Sequence, residues 1–228
     1  MKIHRFFIEE NLEQVKNFRT EDKELLHQLR DVFRFGKGDR IILFDGTGYE
    51  YLAGVELLTK KEASFGIFDK KKREEKTTKK IHLYLSLIKK DKFELAIEKA
   101  TELGVSSITP VIAERSQYKQ VREDRLKKIV KEATEQSGRT TLPKISPTET
   151  VEEVVVKHQD VLVLHMDGTP LSEISIGEDV SMLIGPEGGW SEKELELFKE
   201  KNVQVVSLPF GVLRAETAAI VASAVVQV

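Results

Sequence analysis

The sequence predicts an α/β protein in two parts, a small and mostly antiparallel β module followed by a layered α/β domain. Three observations carry that expectation. Up to about Phe68, short apolar runs alternate with turn signals and a single helical stretch intervenes. Beyond Lys80 the rhythm changes to strand then helix, with brief all-apolar runs of the kind that fill buried parallel strands. The charge also divides along the chain: residues 1–80 carry a net +3, residues 81–144 a net +4 and residues 145–228 a net −9. A cationic front two-thirds draws a polyanion, whereas the acidic remainder repels one unless its loops do other work.

In the first part, His4–Ile8 reads as a strand and Glu21–Phe33 as a helix with Leu25, Leu26, Leu29 and Val32 along one face. Asp39–Phe44 and Tyr49–Val55 are strands joined by Asp45-Gly46-Thr47-Gly48, a hairpin turn. Asp69–Lys80 has seven basic and three acidic residues and no apolar one, which makes it the linker candidate, with a boundary near residue 72.

In the second part, Ile81–Ile88 is a strand, and Asp91 is the expected cap of a helix carrying Phe93, Ile97, Ala100 and Leu103. Gly104 stands where a helix commonly ends in a left-handed residue. Ser107–Ile112 is the next strand, Glu123–Gln136 the next helix and Thr150–Val156 a shorter one. The brief apolar runs are Val161–Leu164, Met182–Ile184 and Val203–Leu208, and Ser191 with Glu194 forms a capping box opening a helix to about Lys201. The final helix, Leu213–Val228, has charges only in its first turn. It must bury most of its sides, and the economical partner is a second copy of the chain.

Composition excludes several classes. With 40% hydrophobic and 32% charged residues, neither a disordered nor a fibrous chain is expected. The longest apolar run, at the C-terminus, is shorter than the roughly 20 residues that cross a bilayer. Lys2, His4, Arg5, Glu9 and Glu10 leave no room for the apolar stretch of a secretory signal, so the expected location is the cytoplasm. No cysteine is present and the five histidines are scattered, so no disulfide and no metal site is expected.

The chemistry is expected where open α/β sheets bind ligands, at the C-terminal ends of the three apolar strands. Leu164-His165-Met166-Asp167-Gly168 follows the first, Ile184-Gly185-Pro186-Glu187-Gly188-Gly189-Trp190 the second, and Leu208-Pro209-Phe210-Gly211-Val212-Leu213-Arg214 the third. Glycine lets backbone approach a ligand closely, and exposed N–H and C=O groups can read a planar base. Neither a Walker Lys-Ser/Thr nor a G-x-G-x-x-G after a strand is present, which disfavours nucleoside triphosphates and dinucleotides.

Five ordered blocks carry a resemblance: Glu98–Val105, Glu114-Arg115-Ser116, Glu132–Arg139 with Pro143 following, Ile184–Gly189 and Leu213–Ala218. Together with His27–Arg30, Gly38-Asp39 and Phe44–Gly46, the chain resembles the RsmE family of bacterial 16S ribosomal RNA uridine-N3 methyltransferases, within the SPOUT superfamily. The resemblance implies a PUA-like RNA-binding β-barrel domain over residues 1–72 and a methyltransferase domain with a trefoil knot over residues 73–228. It further implies a homodimer with its sites at the interface, acting on 16S ribosomal RNA of the small ribosomal subunit. S-adenosylmethionine would lie against Leu164, His165, Met166, Ile184, Gly185, Glu187, Gly188, Gly189, Leu208, Pro209, Phe210, Gly211, Leu213, Thr217 and Ala218.

The family commonly has Gly-x-Arg early in the third loop, where this chain has Pro209-Phe210-Gly211, so Arg214 is the only arginine there. Uracil N3 must lose an imide proton, and the resulting charge spreads onto O2 and O4. Arg214 is therefore expected to stabilise the anion through paired donors. Glu216 is expected to orient Arg214, with proton acceptance as the alternative. Arg5, Arg30, Arg34, Lys89, Lys92, Arg115 and Arg139 are the candidate RNA contacts. The competing readings are methylation of a ribose 2′-OH or of a base of some other RNA, and an RNA-binding or assembly module whose cofactor pocket is vestigial.

Overall fold

The structure, a computed structural model, describes residues 3–73 and 79–227. It divides into two units, Met1–Lys76 with Thr134–Thr141, and Thr77–Ala133 with Leu142–Val228.

The first unit contains β1 (Arg5–Phe7), β2 (Asn17–Thr20), α1 (Lys23–His27), β3 (Arg40–Phe44), β4 (Tyr49–Leu58) and β5 (Ala63–Lys72). The strands lie in the order β1-β3-β4-β5-β2, with β1 parallel to β3 and the other pairs antiparallel. Alternate residues turn inward, so Phe6, Ile41, Leu43, Tyr51, Ala53 and Phe65 pack on Leu25, Leu26 and Leu29 of the helical segment. The predicted hairpin turn is present. Gly46 and Gly48 take φ of +83° and +89°, and the Asp45 carboxylate accepts from the Thr47 amide and hydroxyl, the Leu12 amide and the Tyr51 hydroxyl. Burial, and then the neighbouring Asp45 charge, pushes the Tyr51 phenol up to about 12.

Two expectations are corrected in this unit. The helix over Glu21–Phe33 is α-helical only in α1, capped by Asp22, and becomes a π-helix over Gln28–Val32. It is closed by Phe33 N–H to Gln28 O and followed by Arg34 at φ +58°. The linker candidate Asp69–Lys80 begins inside β5, which runs to Lys72, and its residues 74–78 lie outside the described residues.

The second unit contains β6 (Lys80–Ser86), α2 (Lys90–Glu102), β7 (Ser107–Ile112), α3 (Glu123–Ser137) as far as Ala133, its remaining residues belonging to the first unit, β8 (Lys144–Ile145), β9 (Glu149–Thr150) and α4 (Val151–Lys157). There follow β10 (Leu162–Pro170), β11 (Asp179–Ile184), α5 (Glu192–Glu200), β12 (Val205–Ser207) and α6 (Ala215–Val225). The sheet order is β12-β10-β11-β6-β7-β8, with β9 also on β7, and every pairing is parallel. One face presents Leu83, Leu85, Leu162, Met182 and Ile184 to α2, the start of α3, and α6. The opposite face presents Tyr84, Val111, Val163 and Leu183 to α4 and α5. Strands covered on both faces need no polar alternation, which is why Val161–Leu164 and Met182–Ile184 read as uninterrupted apolar runs, and Val203–Leu208 as one broken by Gln204 and Ser207. Burial, and then the charge of Glu149, pushes the Tyr84 phenol up to about 12.

Gly104 takes φ +93° after α2, and the Ser191–Glu194 capping box opens α5 as the sequence predicts. Asp91 is not the cap of α2. Lys89 holds that position without a side-chain bond, and Asp91 sits in the first turn, where its charge complements the helix dipole. The last helix begins at Ala215, with Arg214 as its N-cap residue. Ala215, Glu216, Ala219, Ala222 and Ser223 face the core, while Ile220, Val221 and Ala224 are half-buried and Val225 is exposed. A single chain therefore covers one side of α6, not most sides, and Val228 lies outside the described residues. No helix among the described residues is long and apolar enough to cross a membrane, and no cluster of three metal-ligating side chains occurs among them.

Candidate functional site

Because the strands of the second unit run parallel, β10, β11 and β12 deliver the three predicted loops to one edge. There the loops line a cleft of about 370 Å³. The first is not a free loop but a bulge within β10. Leu164 and Thr169 both pair with Val206, so residues 165–168 are looped out. Gly168 is required at its base, since a Cβ there would stand 2.5 Å from the Val206 carbonyl carbon and 2.6 Å from its nitrogen. The Ser207 hydroxyl donates to Gly168 O at 3.0 Å and fastens the bulge to β12.

The second loop is tied on three sides. Gly189, at φ +67°, closes a turn by donating to Pro186 O at 2.9 Å. The Glu187 carboxylate accepts from the Lys89 amide at 3.1 Å, and Arg115 donates to Gly188 O at 2.9 Å. Trp190 is buried against Phe198, and its Nε1–H donates to Leu164 O at 3.0 Å, joining the second loop to the first. Gly185 makes room for that ring, because a Cβ would lie 3.0 Å from it. Beneath the loop, the buried Glu194 carboxylate accepts from the Ser191 and Glu114 amides, and the Ser191 hydroxyl donates to Glu114. A buried carboxylate satisfied in this way makes a rigid floor.

The third loop turns tightly where Phe210 N–H donates to Leu208 O at 2.8 Å, and it leaves Phe210 and Val212 exposed. Arg214 is exposed, and among the described residues its guanidinium has no hydrogen-bond or ion-pair partner.

Of the residues expected to hold the cofactor, Leu164, His165, Met166, Ile184, Gly185, Glu187, Gly189, Leu208, Phe210, Gly211, Leu213 and Ala218 line this cleft together with Arg214. Gly188, Pro209 and Thr217 do not; the Gly188 carbonyl is turned to Arg115. Glu216 also lies off the lining. It is 6% exposed and has Lys92 Nζ 3.6 Å away, so its partner is Lys92 rather than Arg214. Pro186, Trp190, Val206, Val212 and Ala215 complete the walls. Pro186 and Trp190 already belonged to the glycine-rich loop, but Val206 carried no signal beyond its place in a strand.

The candidate RNA contacts scatter. In the first unit Arg5 turns inward, paired with Glu50, donating to Arg139 O at 2.8 Å and lying over the Phe44 ring. Its guanidinium is thus spent on holding that unit together, and the Arg139 backbone is part of the same link. Arg30 grips its neighbour Asp31 through two hydrogen bonds, which hold the Asp31 carboxyl down to about 2. Arg34 is exposed. In the second unit Lys89 is exposed, Lys92 faces Glu216 and Arg115 holds Gly188.

Residues 74–227 match the family model of an RNA methyltransferase domain, and residues 22–68 that of an RNA methyltransferase PUA domain. Among curated relatives, ribosomal RNA small subunit methyltransferase E of Rickettsia conorii is 35% identical, with 100% of this chain and 96% of the relative covered. The protein of that name from Bacillus subtilis is 29% identical, over 95% and 93%. Among solved structures, a ribosomal RNA small subunit methyltransferase E from Neisseria gonorrhoeae bound to S-adenosyl methionine superposes with TM-score 0.90 at 31% identity, covering 99% of this chain and 97% of that one. A Legionella pneumophila methyltransferase with SAM bound gives TM-score 0.92 at 29% identity, over 100% and 98%.

Proposed function

The chain belongs to the RNA methyltransferase family whose curated members are named ribosomal RNA small subunit methyltransferase E, and from that premise we propose that it methylates uridine N3 in 16S ribosomal RNA of the small subunit, using S-adenosylmethionine. The observation that carries the reading is the convergence of three backbone-rich loops on one cleft with the Arg214 side chain at its rim. A volume of about 370 Å³ suits a single small ligand. Its apolar walls, from Leu164, Ile184, Trp190, Leu208 and Leu213, suit an adenosine, and the turn at Gly189 and the bulge before Gly168 bring main-chain groups to the rim. When bound there, S-adenosylmethionine supplies an electrophilic methyl group on a sulfonium.

The residues of the chain contribute position and charge. Arg214 can direct paired donors at O2 and O4 of the uracil as negative charge develops, and among the described residues it has no competing partner to surrender. Glu216 acts one step back. Paired with Lys92 and buried in the first turn of α6, it fixes the helix start from which Arg214 projects. A carboxylate so placed stabilises the helix N-terminus without opposing the uracil anion.

The same reading includes a trefoil knot through the cleft loops, a barrel-like first domain over residues 1–72 that docks RNA, a methyltransferase domain over residues 73–228, a homodimer and a cytoplasmic location. The half-buried Ile220 and Val221 and the exposed Val225 of α6, with Phe210 and Val212 exposed on the cleft wall, support a second copy of the chain as the missing cover. Incubating the protein with unmodified small subunits and methyl-labelled S-adenosylmethionine tests the activity. Label entering 16S ribosomal RNA is the expected result, and its absence with properly folded protein rejects the reading.

A further inference from the structure

The segment joining β7 to α3 leaves the sheet at the same C-terminal edge as the cleft loops. Its first half is anchored. Ala113 N–H donates to the Ser116 hydroxyl at 3.2 Å, Glu114 is bound by Ser191 and Glu194, and Arg115 donates to Gly188 O of the second cleft loop. Its second half is open. Tyr118 is 41% exposed and has no ring, hydrogen-bond or ion-pair partner among the described residues. From Arg115 to Arg122 the segment reads RSQYKQVR, with three cations and no acid. Lys119 donates to Ala113 O at 3.1 Å, which ties the open half of the segment back to its anchor.

A lone exposed tyrosine on a protein surface needs no explanation. This one is flanked in sequence by Arg115, Lys119 and Arg122, on a segment hydrogen-bonded to the cleft loop. An aromatic face beside phosphate-neutralising charges is the arrangement that holds single-stranded nucleic acid, since every base offers a π-face and stacking is tolerant of sequence. We propose that Ala113–Arg122 is a clamp for single-stranded RNA beside the cleft, in which Tyr118 stacks on a base flanking the target nucleotide and Arg115, Lys119 and Arg122 meet the phosphates. Arg115 has a second role as a positioning residue, because its bond to Gly188 O connects the clamp to the loop that lines the cofactor site. The inference rests on the RNA methyltransferase reading and names how that site holds its substrate.

The test is fluorescence anisotropy of a labelled single-stranded oligouridylate with the full chain. Tyr118→Ala is expected to weaken binding about tenfold, and Tyr118→Phe to bind as the parent does because the stacking face is kept. Arg122→Gln should flatten the log–log salt dependence by about 0.7. Calorimetry with S-adenosylmethionine on the same samples separates the two ideas. A parent chain that binds no cofactor loses the methyltransferase reading and the clamp with it. A parent that binds cofactor, with Tyr118→Ala holding RNA undiminished, loses the clamp alone. Equal losses in Tyr118→Phe and Tyr118→Ala would assign the effect to the hydroxyl and overturn the stacking role.

Discussion

Replacing Gly168 with alanine tests how the cleft is built. The added Cβ would stand 2.5–2.7 Å from three backbone atoms of Val206, so no side-chain rotation relieves the contact. The bulge and β12 must separate by about 1 Å to reach ordinary packing, and the Ser207 hydroxyl loses its 3.0 Å bond to Gly168 O. Overpacking of about 1–3 kcal/mol plus about 1 kcal/mol for the hydrogen bond gives roughly 2–4 kcal/mol, or a fall in Tm of roughly 4–16 °C for a chain of this size. Gly177→Ala is the control, since its Cβ would meet nothing nearer than the Asp179 carbonyl oxygen at 3.9 Å. Thermal melts of both variants, with cofactor calorimetry below the transition, are the assay. Gly168→Ala should lose stability and affinity together, because Leu164, His165 and Met166 on the cleft wall depend on the bulge. A Gly168→Ala protein with the Tm and affinity of the parent would refute the bulge as the foundation of the site.

Gly211→Val gives the complementary result: a Cβ at Gly211 meets nothing within 4 Å, so calorimetry should show cofactor binding lost while the melt is unchanged. Arg214→Ala should slow single-turnover methylation by about 10²–10³ with cofactor affinity retained, whereas Arg30→Ala should weaken RNA binding and spare the chemical step, and the reverse pattern would exchange their roles. Spectrophotometric titration should show Tyr51 and Tyr84 ionising late, at about 12, and Tyr84→Phe should remove part of that late phase. Their folded values lie above the unfolded value of about 10, so the stability they contribute is fully present below about pH 10 and is lost as pH rises through about 12. Sedimentation should show a dimer at micromolar concentration, and an active monomer would remove the second copy from the account.

The elements that sequence reveals are those whose local rule matches their surroundings. Val161–Leu164, Met182–Ile184 and Val203–Leu208 read as buried strands because both faces of the sheet are covered, and the Ser191–Glu194 capping box is legible because both partners lie in one turn. The π-helix at Gln28–Val32 is not legible, since Leu25, Leu26 and Leu29 keep ordinary helical spacing, and only the exposure of Val32, predicted on their face, marks the shift to i,i+5 bonding. Nor is β2, an edge strand with Phe18 as its one buried residue, and the charged end of β5 reads as linker because its outer residues are solvated. The cleft loops announce themselves through Gly and Pro, but the ties that shape them cross large stretches of chain. The Trp190 bond to Leu164, the grip of Arg115 on Gly188 and the Lys92–Glu216 pair, like the inward turn of Arg5 to Glu50, follow from folding and leave no local pattern.

Nucleoside mass spectrometry reads out whether this cleft delivers a methyl group to N3 of a uridine in 16S ribosomal RNA. Unmodified small subunits are incubated with the protein and S-adenosylmethionine, and the 16S ribosomal RNA is digested to nucleosides. New 3-methyluridine is expected with the parent chain and a sharply reduced amount with Arg214→Ala. A methyl group found on a ribose 2′-OH or on another base, or 3-methyluridine formed equally well without Arg214, would contradict it.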